Sequence, residues 1–192
     1  DGPSKKTLSA ILGTIVGVII AGAISYIASN IANISGLTSN EAEGLIYIAE
    51  HRNVKIKGLT FSAILIASLG AIMDVAMSIA SSIFELEKNN PKSSSKELLK
   101  SGMSIGKDIM GTMSNTLILA FAGSSLNMIL FIIAYGMPYR QIINLDFLVA
   151  EIIQGTSGSI GIILTVPITA IIASKMAKKV NSEESSTKLK SK

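Results

Sequence analysis

Residues 7–30 read TLSAILGTIVGVIIAGAISYIASN, without a single Asp, Glu, Lys, Arg or His, and the charge-free run continues to Asn40. Crossing a hydrocarbon layer of about 30 Å takes about 20 apolar residues at a helical rise of roughly 1.5 Å, and this run is long enough. Three more stretches, 58–73, 109–139 and 152–174, are equally free of charge. Working outward from them, the sequence predicts an all-α, polytopic transmembrane helix bundle with four spans, at about 8–29, 59–84, 109–135 and 157–176. Only 16% of the 192 residues are charged while 48% are hydrophobic, a balance unlike that of soluble domains, which carry about 25% charge.

The placement of Lys and Arg sets the orientation. With both termini cytoplasmic, 13 of the 17 basic residues fall inside, among them Lys5, Lys6, Lys96, Lys107 and Lys178, and four fall outside, Arg52, Lys55, Lys57 and Arg140. Lipid headgroups therefore account for the net charge of +4, and nucleic acid is not expected as a partner. The expected location is the bacterial cytoplasmic membrane, as a multi-pass protein. The six residues before the first span, with no initiator Met, are expected to belong to a piece of a longer protein rather than to a signal peptide.

Short amphipathic helices are expected in the connections. Thr38 with Glu41 and Ser94 with Glu97 both fit a capping box. The first predicts an outer helix from Ser39 to Glu50, and the second a helix running through Lys107 into the third span. A helix over 144–154 should meet GTSGSIG, whose Gly155, Gly158 and Gly161 permit a break or a close helix contact. Residues 1–180 form the transmembrane domain in this reading, and 181–192 a disordered basic tail.

Soluble-enzyme chemistry finds no support. Cysteine is absent and histidine occurs once, at position 51, which leaves no thiolate nucleophile and no ordinary zinc site. The glycines fit neither a phosphate-binding loop nor a dinucleotide fingerprint. No catalytic residue, cofactor or metal is expected, and the protein is not expected to be an enzyme. The chemistry lies in polar residues at membrane depth. Asp74 stands about 4–5 Å from the middle of the second span, where a carboxylate costs about 2.5–3.5 kcal/mol on insertion scales. Ser78, Ser81 and Glu85 share its helical stripe, and Asp108, Thr112 and Asn115, with Thr116 adjacent, form another stripe in the third span. Aligned from Glu85 and Asp108 at the cytoplasmic boundary, Ser78 and Ser81 should come level with Thr112 and Asn115. The stripes read as a polar pathway open to the cytoplasm, or as a structural knot of hydrogen bonds. Glu151 and Gln154 sit at the outer end of the last helix, as a cap on that pathway or against headgroups. Gly13, Gly17, Ala21, Ser25 and Ser29 recur every fourth residue in the first span, as do Gly161, Thr165, Thr169 and Ala173 in the last. Each set reads as a close-approach face.

The segments GAIMDVAMSIASSIFELEKNNP, KELLKSGMSIGKDIMGTMSNTLILAFAGSSL and AEIIQGTSGSIGIILTVPITAIIAS resemble the YibE/F-like family of bacterial integral membrane proteins, and the chain is similar to its C-terminal half. The resemblance matches Asp74 to the Asp of a GAxxDVA segment, Gly106, Lys107 and Asp108 to an IG-basic-D segment, Asn115 and Thr116 to an NTL segment, and Glu151 to the acid before the last span. It implies further spans before this portion and a suspected permease activity. The expected function is thus a membrane permease or secondary transporter component for an unidentified small solute or ion, with Asp74 as a proton-coupling group and Ser78, Asp108, Thr112, Asn115, Thr116 and Glu151 as candidate pathway residues. The alternative is a non-transporting scaffold or accessory subunit of a larger membrane complex. Additional transmembrane helices should come from a preceding portion, a homo-oligomer or a partner protein.

Overall fold

A computed structural model of the chain describes residues 4–34 and 56–190. Among these, the elements are α1 (Lys5–Ile31), α2 (Ile56–Asn89), α3 (Ser95–Ser124), α4 (Leu126–Ala134), the single turn α5 (Tyr139–Ile142) and α6 (Asp146–Lys190), and no strand occurs. The outer helix expected at 39–50 lies outside the described residues. Three helices are long and apolar enough to cross a membrane, within Lys5–Ile31, Leu65–Asn89 and Asp146–Lys178. Helices α3 and α4 together also reach that length and apolarity, as a pair bent by 48°, which brings the number of crossings to three or four.

Local chemistry sets the helix ends. Ser4 caps α1 by accepting from the Thr7 amide. At α3 the capping box read from sequence is complete: the Glu97 amide donates to Ser94 Oγ at 3.2 Å and the Ser94 amide to Glu97 Oε2 at 2.7 Å. The helix then runs without interruption through Lys107 into the third span, as its sequence predicts.

Two features of the helices go beyond the sequence reading. The third span is not one straight helix over 109–135, because α3 and α4 meet at 48°. Ser124 Oγ donates to the Phe121 carbonyl at 2.7 Å and Ser125 Oγ to the same carbonyl at 3.0 Å. Hydroxyls that compete for a helical carbonyl next to a glycine, here Gly123, favour a kink. At the other end, α6 is helical to Lys190, across most of the stretch expected to be a disordered tail. After Pro167 no glycine or proline interrupts it.

Packing is organised by α6, which lies against α1, α2 and α3, while α2 also touches α1 and, more lightly, α3. The two stripes of small residues meet each other. Gly13 faces Thr169, Gly17 faces Thr165 and Gly161 faces Ala21, so α1 and α6 run antiparallel in four-residue steps. Gly102 faces Ile83 and Gly106 faces Ile79, so α2 and α3 are antiparallel too. Ile72 against Gly161 and Ser68 against Gly158 set α2 parallel to α6. The long helices α1, α2, α3 and α6 therefore alternate in direction. Their shared core is mainly aliphatic, with Ile72, Val75, Ile79, Ile83, Ile162, Val166 and Ala170 fully buried. At the end where α2 turns into α3, Lys178 Nζ donates to the Pro91 carbonyl at 2.8 Å and Ser95 Oγ to the Ser174 carbonyl at 3.3 Å, tying the α2–α3 turn to α6.

Candidate functional site

The core of α2 is Ile72, Val75, Ile79 and Ile83. At 100° per residue, Asp74, Ser78, Ser81 and Glu85 lie on the opposite side of the helix, and all four are exposed. In α3 the buried positions are Leu98, Gly102, Gly106 and Leu117, whereas Asp108, Thr112, Asn115 and Thr116 are exposed. Both polar stripes therefore point away from the bundle core. Among the described residues, the side chains of Asp74 and Asn115 form no hydrogen bond. Thr112 Oγ1 donates to the Asp108 carbonyl at 3.1 Å and Thr116 Oγ1 to the Thr112 carbonyl at 2.9 Å, so these hydroxyls are satisfied by their own helix.

The relative height of the stripes also differs from the sequence expectation. The pairs Gly102–Ile83 and Gly106–Ile79 put Asp74 level with Gly111 and Gly70 level with Asn115. Ser78 and Ser81 come level with Lys107 and Ser104, about two turns from the Thr112 and Asn115 predicted for them. The glycines reveal what is missing on this face. A Cβ at Gly13, Gly17, Gly22, Gly102, Gly106, Gly158 or Gly161 would press on a neighbouring helix, but at Gly70 and Gly111 it would meet nothing within 4 Å.

Glu151 is not part of this arrangement. It sits half-buried on α6 beside the α3–α4 bend, where Oε1 accepts from Ser124 Oγ at 3.5 Å and Oε2 is buried with no partner among the described residues. Its stem lines a cavity of about 320 Å³ with Phe121, Ser125, Ile129 and Leu148.

Sequence reasoning missed one polar feature of the interior. The hydroxyls of Ser25, Ser68 and Ser157 are all buried without a hydrogen-bond partner. Continuing the α1–α6 steps puts Ser25 opposite Ser157, and Ser68 packs on Gly158. A serine in an apolar run carries no signal of its own, and only the register of three helices brings these to one level. Among the described residues no group of three or more His, Asp or Glu is placed to hold a metal.

Long apolar helices packed in alternating directions around a mainly aliphatic core define a multi-span helical membrane protein. The chain matches the YibE/F-like protein family over residues 1–179 and belongs to that family, whose members are bacterial membrane proteins. No curated protein and no solved structure matches it.

Proposed function

We propose that the chain is a permease module, a component of a secondary transporter for a small solute or ion, whose polar path runs along the outward stripes of α2 and α3. The observation that carries this reading is Asp74, a carboxyl at mid-membrane depth on the face turned from the core and without a partner among the described residues. Hydrocarbon is a costly neighbour for such a group. Water in a conduit, or polar groups of a second helical bundle, lowers that cost. In this reading Asp74 cycles a proton, Asn115 and Ser78 offer exchangeable hydrogen bonds to a solute, and Asp108 stands at the cytoplasmic mouth. Thr112 and Thr116 contribute bulk and dipole rather than free donors. Glu151, near the α3–α4 bend, acts on the outer side and not in the same path.

Flux into proteoliposomes tests the reading against a panel of ions and small solutes, with and without a pH gradient. Wild-type protein should move at least one of them in response to the gradient, and Asp74→Asn should abolish that response while folding normally. The competing reading, a scaffold whose polar face binds another subunit, predicts no flux from the wild type in any condition.

A further inference from the structure

We infer that the outward face of α2 and α3 docks a second copy of this chain, in a two-fold dimer whose axis is the membrane normal. Such an axis leaves every residue at its own depth, so α2 of one copy meets α3 of the other in the register that the chain already shows between its own α2 and α3. That register pairs Glu85 with Lys100, Ser81 with Ser104, Asp74 with Gly111 and Gly70 with Asn115. All eight residues are exposed.

Three features of these pairs favour a second copy over other occupants. Near the cytoplasmic end the acid of one helix is level with a base of the other, so two copies meet with opposite charges twice over. In mid-membrane each polar side chain is level with a glycine, so the Asp74 carboxyl of one copy is received where Gly111 of the second copy leaves open space, and Asn115 where its Gly70 does. Between these levels Ser81 and Ser104 put two small hydroxyls together, which lets the helix backbones approach. The glycines at these levels have room for such a side chain: Gly70 and Gly111, like Gly123, have nothing within 4 Å of a Cβ, whereas Gly102 and Gly106 on the core-facing side of α3 are in contact. The pattern is complementary to itself, as an isologous interface requires.

This inference shares its surface with the proposed transport path but does not depend on flux. A dimer without transport would refute the permease reading alone, and transport by a monomer would refute the dimer alone. The natural chain has no cysteine, so disulfide trapping is clean. Two differently tagged forms, one with Ser81→Cys and one with Ser104→Cys, are co-expressed and oxidised in native membranes. A band carrying both tags is expected, at least tenfold stronger than from Ile19→Cys paired with Ser104→Cys, since Ile19 lies on the exposed side of α1. Adding Gly111→Leu to both forms should reduce the band at least tenfold. The open space at Gly111 lets each subunit fold with the larger side chain, which circular dichroism and gel filtration check. Equal yields from the control pair, capture of position 81 only by another protein or by position 81 of a second copy, or no linked product from well-folded protein would each overturn the inference.

Discussion

Replacing Gly17 with alanine adds one methyl group at the tightest point of the α1–α6 contact. Its Cβ would overlap Thr165 Oγ1 and stand 2.9 Å from Ile72 Cγ2 and 3.2 Å from Thr165 Cβ. Neither neighbour can yield easily: both are fully buried, and Thr165 Oγ1 donates to the Gly161 carbonyl at 2.7 Å. Overpacking of this kind costs about 1–3 kcal/mol. Alanine also raises helix propensity over glycine by about 0.8–1.0 kcal/mol, which partly hides that cost. Gly70→Ala carries the same propensity gain into open space. The difference in unfolding free energy between the two variants cancels the propensity contribution and should equal the overpacking cost alone, about 1–3 kcal/mol against Gly17→Ala. Unfolding in mixed micelles with increasing SDS, at dilute protein, measures it. Thr165→Ala in the Gly17→Ala background should recover part of the loss by removing the overlapped hydroxyl. Equal stability of Gly17→Ala and Gly70→Ala would show that the α1–α6 contact is not the close one described.

Two further outcomes are expected. The Ser94 backbone amide, followed by the Ser94 hydroxyl, holds Glu97 below its usual value of 4.5. Glu97 is fully solvated at the start of α3, ahead of the apolar part of the crossing. A carboxyl whose folded value is depressed stabilises the fold above its unfolded pKa and loses that contribution as pH falls through the folded value. The Ser94 amide resonance should therefore titrate with a midpoint below 4.5, and Glu97→Gln should remove the titration; a midpoint at or above 4.5 would contradict the capping geometry. For topology, Ser94→Cys should react with a membrane-impermeant maleimide only from the cytoplasm and Gln141→Cys only from outside, because the basic residues divide so unevenly. Labelling of both from one side would mean an even number of crossings between them and would refute a single crossing by α3 and α4.

What the sequence reveals here is what acts locally. Charge-free length marks a crossing wherever it falls, and Ser94 with Glu97 specifies a helix start within four residues. The small-residue stripes of α1 and α6 were legible for the same reason, since each repeats along its own helix, although only the structure shows that they face each other. The α3–α4 bend was not legible, because it depends on two serine hydroxyls choosing the Phe121 carbonyl over other partners. The height of α2 against α3 was misjudged by aligning Glu85 and Asp108 at a common boundary. In fact the first turns of α3 pack beside the last turns of α2, where Gly102 and Gly106 admit Ile83 and Ile79. Glu151 was grouped with the stripes through its polarity and the family resemblance, and position alone separates it from them.

The direction of the polar stripes follows from how the core is filled. Ile72, Val75, Ile79 and Ile83 of α2 belong to the core shared with α1, α3 and α6, and the glycines opposite Ile72, Ile79 and Ile83 let the helices pack closely there. At 100° per residue, a helix that commits these positions to the core has only its far side left for Asp74 and Ser78. The same constraint acts on α3, where Gly102 and Gly106 take the inner side and Asp108 and Asn115 the outer. The transport path proposed above therefore runs along the outside of this bundle. A route there is bounded on one side by α2 and α3, and becomes closed from lipid only when another surface of matching depth and polarity covers it. For that reason the proposed role of Asp74 and the proposed second copy meet on one surface, and the flux and cross-linking experiments test them separately.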